Sequence, residues 1–298
     1  MEPEEFWGWR FEFMNLKSFL FVTHLTPTSK RSSLRSDLQK IYFKALNNQT
    51  FENWKVLLMG EKDEVNDKFI EIDVGNYQTK TERSQRLNAI YSRKEIIDLF
   101  YSSDFIVKMD DDDIISPTIL SKVNSMHFDV YYDQYHHFYD VSSGIISRQK
   151  RNWIPSTCIH KREHAITKIN PVGPDNIYSN SVLYSDHSKV WHVYYKSKNI
   201  VFSDIDSPVY LRVLSPTSIS SGATHFPLTG FEQVNMMEYD NYLKKFGNWT
   251  TIKGNDFNAY LDDLKYSWED FSGSSFRELN FKERSNLFQK IKSRIFNK

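Results

Sequence analysis

Short apolar runs alternate with stretches of helical spacing through the first half of the chain. Residues 18–23 form a strand-type run, followed by a small polar loop through Thr26 and Pro27. Leu34, Leu38, Ile41, Tyr42, Ala45 and Leu46 then recur at helical spacing, and residues 54–59 make a second strand closed by Gly60. Strand, helix, strand is the opening of a parallel α/β sheet. Residues 69–74 alternate as a third strand, 81–100 read as one long helix, and 104–109 as the next strand. Ser116-Pro117 opens a further helix through Ile119, Leu120 and Val123. Residues 128–133, 144–146, 152–161, 200–202 and 209–213 read as later strands, 171–180 as loop and 190–195 as an aromatic helical stretch. Beyond Gly222 the pattern turns helical, at 231–246 and 258–268. The organisation this predicts is an aromatic N-terminal arm over 1–16, an α/β domain over 17–225 and a helical extension over 226–298.

Composition adds few constraints. With 40% hydrophobic and 26% charged residues in 298, the chain is globular, and a formal net charge of zero gives no global field for nucleic acid. One cysteine, Cys158, excludes an intrachain disulfide and fits a reducing cytosol, and the acidic start Met1-Glu2-Pro3-Glu4-Glu5 is unlike a secretion signal. A cytoplasmic location follows as the expectation. The tail 281–298 sets Phe281, Leu287, Phe288, Ile291 and Ile295 against a basic face, which either packs on the domain or lies at the inner face of an acidic membrane. His160 and His164 are four apart, a zinc spacing, but no third ligand stands nearby in the sequence, so they read as surface or hydrogen-bonded histidines.

The chemistry concentrates at Asp110-Asp111-Asp112-Asp113, which ends the apolar strand 104–109 and precedes Ile114-Ile115-Ser116-Pro117. Adjacent carboxylates repel unless a cation or donor groups lie among them. A solvated loop and a hard-metal site are both open on the run alone. An EF-hand is excluded, because no bidentate Glu stands at the twelfth position and no glycine at the sixth. A two-metal nuclease or phosphodiesterase also uses acidic strand tips, but no basic path for a polymer accompanies this one.

Order along the chain narrows the choice. Gln49-Thr50-Phe51-Glu52-Asn53 before the second strand, Asp110-Asp111-Asp112-Asp113-Ile114-Ile115-Ser116-Pro117, Tyr184-Ser185-Asp186-His187 and Tyr210-Leu211-Arg212-Val213-Leu214-Ser215-Pro216-Thr217-Ser218 stand in sequence. Together they resemble the nucleotide-sugar glycosyltransferases of the GT-A type, most like the inverting family two, over roughly residues 17–221. The turn and the acidic run also resemble bacterial rhamnosyltransferases. The resemblance implies a GT-A, Rossmann-like mixed but mainly parallel sheet flanked by helices. It implies transfer of a sugar from a nucleotide-sugar donor to a glycan or lipid-linked hydroxyl acceptor, in bacterial surface polysaccharide synthesis. By position it places Mn²⁺ or Mg²⁺ on Asp110, Asp112 and Asp113. It places the donor against Thr23, His24, Thr26, Arg83, Arg86, Asn88, Asp110 and Asp111, and the acceptor near Trp153 and His187, with Asp186 as general base. Leu214 stands where relatives often have a metal-binding His, for which His225 is a substitute. A non-catalytic nucleotide-sugar or carbohydrate-binding protein is the alternative of a different class.

Overall fold

The computed structural model describes residues 16–28, 31–60, 67–75, 77, 79–150, 158–169, 174–184, 193–217, 239, 243–244, 250–252 and 256–273. In chain order the elements are β1 (Phe19–His24), α1 (Ser33–Asn47), β2 (Trp54–Met59), β3 (Phe69–Ile72), α2 (Lys80–Tyr91), α3 (Lys94–Tyr101), β4 (Phe105–Asp110), β5 (Ile114–Ile115) and α4 (Ile119–Asn124). Then come β6 (Val130–Tyr132), β7 (Tyr135–Asp140), β8 (Ile145–Lys150), β9 (Cys158–Lys161), α5 (Arg162–Ala165), α6 (Ile177–Asn180), β10 (Ile200–Phe202), β11 (Tyr210–Leu214) and β12 (Thr250–Thr251). A helix over 258–273 closes the described chain.

The fold is mixed α/β. A seven-stranded sheet runs β10-β6-β9-β4-β1-β2-β3 and a five-stranded sheet runs β12-β8-β7-β11-β5. In the larger sheet β4, β1, β2 and β3 are mutually parallel, as are β10 and β6, and β9 alone runs antiparallel to its neighbours. Strand alternation splits the core into two layers. Phe19, Phe21, Phe105, Val107 and Met109 face α1, joined by Tyr260, Leu264 and Phe271 of the last helix. Leu20, Val22 and Ile106 face the other way, onto Leu87, Ile90 and Tyr91 of α2 and Ile96 and Phe100 of α3. Helices α1 and α2 start where the sequence supplies caps. Ser32 Oγ accepts from the Arg35 N–H at 3.1 Å, and Thr79 with Glu82 forms a reciprocal capping box.

Three sequence expectations are revised. The helix expected over 81–100 is two, because Ser92 Oγ bonds back to the Asn88 carbonyl at 2.8 Å and Arg93 turns extended. Strand β7 lies in a stretch to which the sequence pattern assigns no element. Four of its six residues are buried on both faces, which erases the period-two pattern. The loop expected at 171–180 ends in α6, capped by Asn176. The acidic run is the junction between the sheets, since β4 ends the first part of one and β5 enters the other. A second junction is Asp133. Its carboxylate accepts from the Val209 N–H at 2.8 Å and from Ser203 Oγ, tying the exit of β6 to the entry of β11. Burial pushes its pKa up to about 7, against those hydrogen bonds.

Among the described residues no helix is long and apolar enough to cross a membrane. The arm at 1–15, the tail at 281–298, and most of 231–246 lie outside the described residues.

Candidate functional site

The four acids are not equivalent, and strand alternation sets the difference. Asp110 continues the face of Ile106 and Lys108 and is exposed at the end of β4, in register with His24 at the end of β1. Asp111 takes the opposite face and is 1% exposed. It accepts from the Thr26 N–H at 2.7 Å, from Gln39 Nε2 at 2.9 Å and from Arg35. Arg35 also pairs with Asp112, so one guanidinium spans two buried carboxylates. Burial works against the Arg35 charge, and Asp111 and Asp112 more than offset it, raising its pKa above the ordinary value. Asp113 accepts from the Val213 N–H at 3.1 Å. Burial pushes its pKa well up, Asp112 adds to the shift and Arg212 opposes it.

Two more of the quoted motifs lock onto this junction. Gln49 Nε2 donates to the Ser116 carbonyl at 2.9 Å, and the Thr50 N–H donates to the Pro117 carbonyl at 2.9 Å. Asn53 Nδ2 holds the Lys17 carbonyl at 3.1 Å, fixing the entry to β1. From the other end of the sequence, Tyr210 and Leu211 pair with Ile115 and Ile114. Residues far apart in the chain therefore fix the turn that carries the acids.

Asp110 stands at a switch point of the sheet, where the carboxyl ends of β1 and β4 lie side by side. The chain runs from β1 to β2 and β3 on one side and returns to place β4 on the other, so β1 and β4 mark the point where strand order reverses. Ligands of open α/β sheets bind outside the carboxyl ends of strands at such a point. His24 lies there in an aromatic cluster, stacked on Tyr184 with ring centroids 5.6 Å apart and hydrogen-bonded through Nε2 to Tyr91 Oη at 3.1 Å. Tyr178 stacks on Tyr91 at 5.5 Å. Lys108 sends its ammonium to 5.1 Å from the Tyr184 ring, and Arg83 of α2 lies 5.9 Å from that of Tyr77. Burial lowers the Lys108 pKa, with Asp110 opposing and Arg83 adding to the fall. Burial, then Arg83 and Lys108, hold His24 well below its usual range, so its ring is neutral at pH 7. Neither Arg83 nor Lys108 makes a close ion pair among the described residues. Two cations beside an aromatic wall and a single exposed carboxylate suit an anion that carries a flat ring.

The expected site residues divide accordingly. His24, Arg83 and Asp110 come together at the carboxyl ends of β1 and β4. Thr23 does not, because alternation turns it inward. It is fully buried, with Oγ1 2.6 Å from Tyr42 Oη. Thr26 clamps Asp111, and Asp111 faces α1 instead of the rim. Arg86 Nη1 donates to the Val74 carbonyl at 3.1 Å. Asn88 Oδ1 accepts from Asn176 Nδ2 at 3.1 Å and from Ser179, joining α2 to α6. Leu214 is buried against Phe138 and Tyr239. Trp153, Asp186, His187 and His225 lie outside the described residues. Lys108, Arg35, Gln39, Tyr91 and Tyr178 are the residues sequence reasoning passed over. Lys108 was legible as a lysine on the same strand face as Asp110, two positions earlier. Arg35 and Gln39 were legible as polar residues among the buried apolar positions of α1.

A hard dication needs about six oxygen ligands. The acidic run does not offer them in this arrangement. Asp111 and Asp112 are both paired with Arg35, Asp113 is bound to backbone, and Asp110 alone faces outward. A group of described residues that could hold a metal ion, Asp129, Glu163 and His164, lies elsewhere.

No protein-family model matches the chain, and no curated protein matches it. Solved structures do. The chain is similar to the glycosyltransferase GlyE of Streptococcus pneumoniae TIGR4, at 8% identity and TM-score 0.36, covering 88% of this chain and 64% of that one. It is also similar to a Desulfovibrio desulfuricans G20 protein named for a proposed nucleotide-diphospho-sugar transferase activity, at 8% identity and TM-score 0.32, over 78% of this chain and 99% of that one. A third is a glycosyltransferase involved in glycosylation of the major capsid of PBCV-1, at 8% identity and TM-score 0.32, over 65% of this chain and 93% of that one. The chain thus spans less than two thirds of GlyE. At such identities and scores these likenesses lend no weight to a role, which has to stand on the chain's own residues.

Proposed function

We propose that the chain is a nucleotide-sugar glycosyltransferase whose donor lies at the carboxyl ends of β1 and β4. The observation that carries the reading is the convergence of His24, Arg83, Lys108 and Asp110 at the strand-order reversal. The aromatic cluster would receive the base, Arg83 and Lys108 the diphosphate, and Asp110 the ribose or sugar hydroxyls. Negative charge grows on the leaving diphosphate as the glycosidic bond breaks, and two fixed cations stabilise it there. In the reaction the acceptor oxygen attacks the anomeric carbon, the bond to the phosphate oxygen breaks, and Asp186 takes the hydroxyl proton. A single displacement of this kind inverts the anomeric centre.

The resemblance implies Mn²⁺ or Mg²⁺ on Asp110, Asp112 and Asp113, whereas Arg35 competes for Asp112. The reading therefore draws its charge stabilisation from Arg83 and Lys108 and routes no step through an ion. A two-metal phosphodiesterase would need free paired carboxylates, of which Arg35 takes two. A glycan or lipid-linked acceptor, a role in bacterial surface polysaccharide, a rhamnosyl donor and contact of 281–298 with the inner membrane face belong to the same proposal and follow from the resemblance alone. A thermal-shift panel of UDP-, dTDP- and GDP-sugars tests the core of it. At least one is expected to raise the midpoint by several degrees at 1 mM, with EDTA present as well as absent. No shift from any of them would remove the donor assignment.

A further inference from the structure

We propose a second, separate site, for a first-row transition-metal dication such as Zn²⁺, formed by His164 and Asp129 with Glu163. The three residues lie at the other end of β4 from Asp110. The Arg162 N–H at the start of α5 donates to the Asp104 carbonyl at 2.8 Å, and Lys161 of β9 is in register with Phe105. Six residues of extended strand put the two places on the order of 20 Å apart.

The orientation of the His164 proton is set by its neighbours. Thr167 Oγ1 donates to the Glu163 carbonyl at 2.6 Å, so it must accept the Tyr194 hydroxyl proton, at 3.1 Å. The Tyr194 oxygen, its own proton committed, accepts from His164 Nδ1–H at 2.8 Å. A neutral His164 therefore keeps its lone pair on Nε2. His164 is 8% exposed, and Nε2 finds no hydrogen-bond partner of acceptable geometry among the described residues. Yet Nε2 points into a pair of carboxylates, with Asp129 Oδ1 at 3.0 Å and Glu163 Oε1 at 3.8 Å. Three lone-pair donors repel at such distances unless a cation lies among them. A proton on Nε2 is one solution, and a metal ion bound by all three is the other.

The surroundings favour the ion. A ligating histidine whose other nitrogen donates to a fixed acceptor is the usual outer-shell arrangement, and the Tyr194–Thr167 chain supplies it. Asp129 is held in place through its other oxygen, which accepts the Asn199 N–H at 2.8 Å. One imidazole and two carboxylates suit Zn²⁺ or a neighbouring transition metal better than Mg²⁺ or Ca²⁺. Tetrahedral ligands about 2.1 Å from an ion stand roughly 3.4 Å apart. The donor atoms here all lie within 4.8 Å of one another, and the exposed Glu163 can close the difference by turning away from Lys161, which it contacts at 2.8 Å. The four-residue spacing of His160 and His164 reads as surface or hydrogen-bonded histidines and not as a zinc pair. His160 lies in β9 with Nδ1 2.6 Å from Tyr195 Oη, and Asp129, distant in sequence, stands beside His164.

Calorimetric titration of the full chain with ZnCl₂ at pH 7.5 tests the site, with Co²⁺ and its visible absorption as a report of ligand geometry. One ion should bind per chain. His164→Ala and Asp129→Asn should weaken it at least 30-fold, and Tyr194→Phe about tenfold, through loss of the Nδ1 acceptor. Asp110→Ala should leave it unchanged. Absence of Zn²⁺ binding, or binding that survives His164→Ala and Asp129→Asn, would overturn the site. Should those variants fail to fold by circular dichroism, the exposed Glu163→Gln decides, with at least a fivefold loss expected and no loss overturning the proposal.

Discussion

Replacing Arg35 with methionine is expected to destabilise the protein by about 3–5 kcal/mol, the cost of leaving a buried charge without its partner. The side chain is 11% exposed and holds Asp111 and Asp112 together, so its loss strands two carboxylates at one step. Gln39 and the Thr26 N–H still reach Asp111, but neither supplies charge. Urea denaturation at pH 7.5 measures the loss. Adding Asp111→Asn and Asp112→Asn to Arg35→Met should recover most of the loss. A loss below about 1 kcal/mol for the single variant would mean that Arg35 does not stabilise the acidic junction.

Asp186→Asn is expected to lower kcat by about 10²–10⁴ while donor affinity stays within twofold of the parent, the result of removing a general base and leaving a shape mimic. Asp186 follows Tyr184, whose ring stacks on His24 at the end of β1. The alternative role for this aspartate is to cap the start of the aromatic stretch near Val190, and that role would change stability instead. Single-turnover transfer measured beside the denaturation midpoint separates the two. Near-normal turnover with a lowered midpoint would take Asp186 out of the chemistry. Transfer itself can be followed as nucleoside diphosphate release in the presence of an acceptor.

Much of the larger sheet was legible because β1, β2 and β4 are short, largely apolar runs bounded by turn residues, and α1 keeps a regular buried stripe. The second sheet was less legible. Strand β5 has two residues, β12 has two, and β7 is buried on both faces, so neither length nor period marks them. The acidic run was legible as a place but not as an arrangement. Which way each carboxylate points depends on strand register against β1. What pairs with Asp111 and Asp112 is Arg35, brought there by the packing of α1. The same limit applies to Thr23. Its position at the end of an apolar strand suggested a ligand, and one step of alternation turned it into the core beside Tyr42. Arg86 and Asn88 share a helix with Arg83, but tertiary partners, the Val74 carbonyl and Asn176, occupy them.

The central claim is that Arg83, Lys108 and Asp110 form a nucleotide-diphosphate-sugar site at the carboxyl ends of β1 and β4. Its most direct test is calorimetric titration of the parent and of Arg83→Ala with whichever UDP-, dTDP- or GDP-sugar gives the largest thermal shift, in EDTA. The account predicts saturable binding to the parent and at least a tenfold weaker Kd for Arg83→Ala, about 1.4 kcal/mol. Equal affinity in the two proteins, or binding that vanishes in EDTA and returns with Mn²⁺, would contradict it.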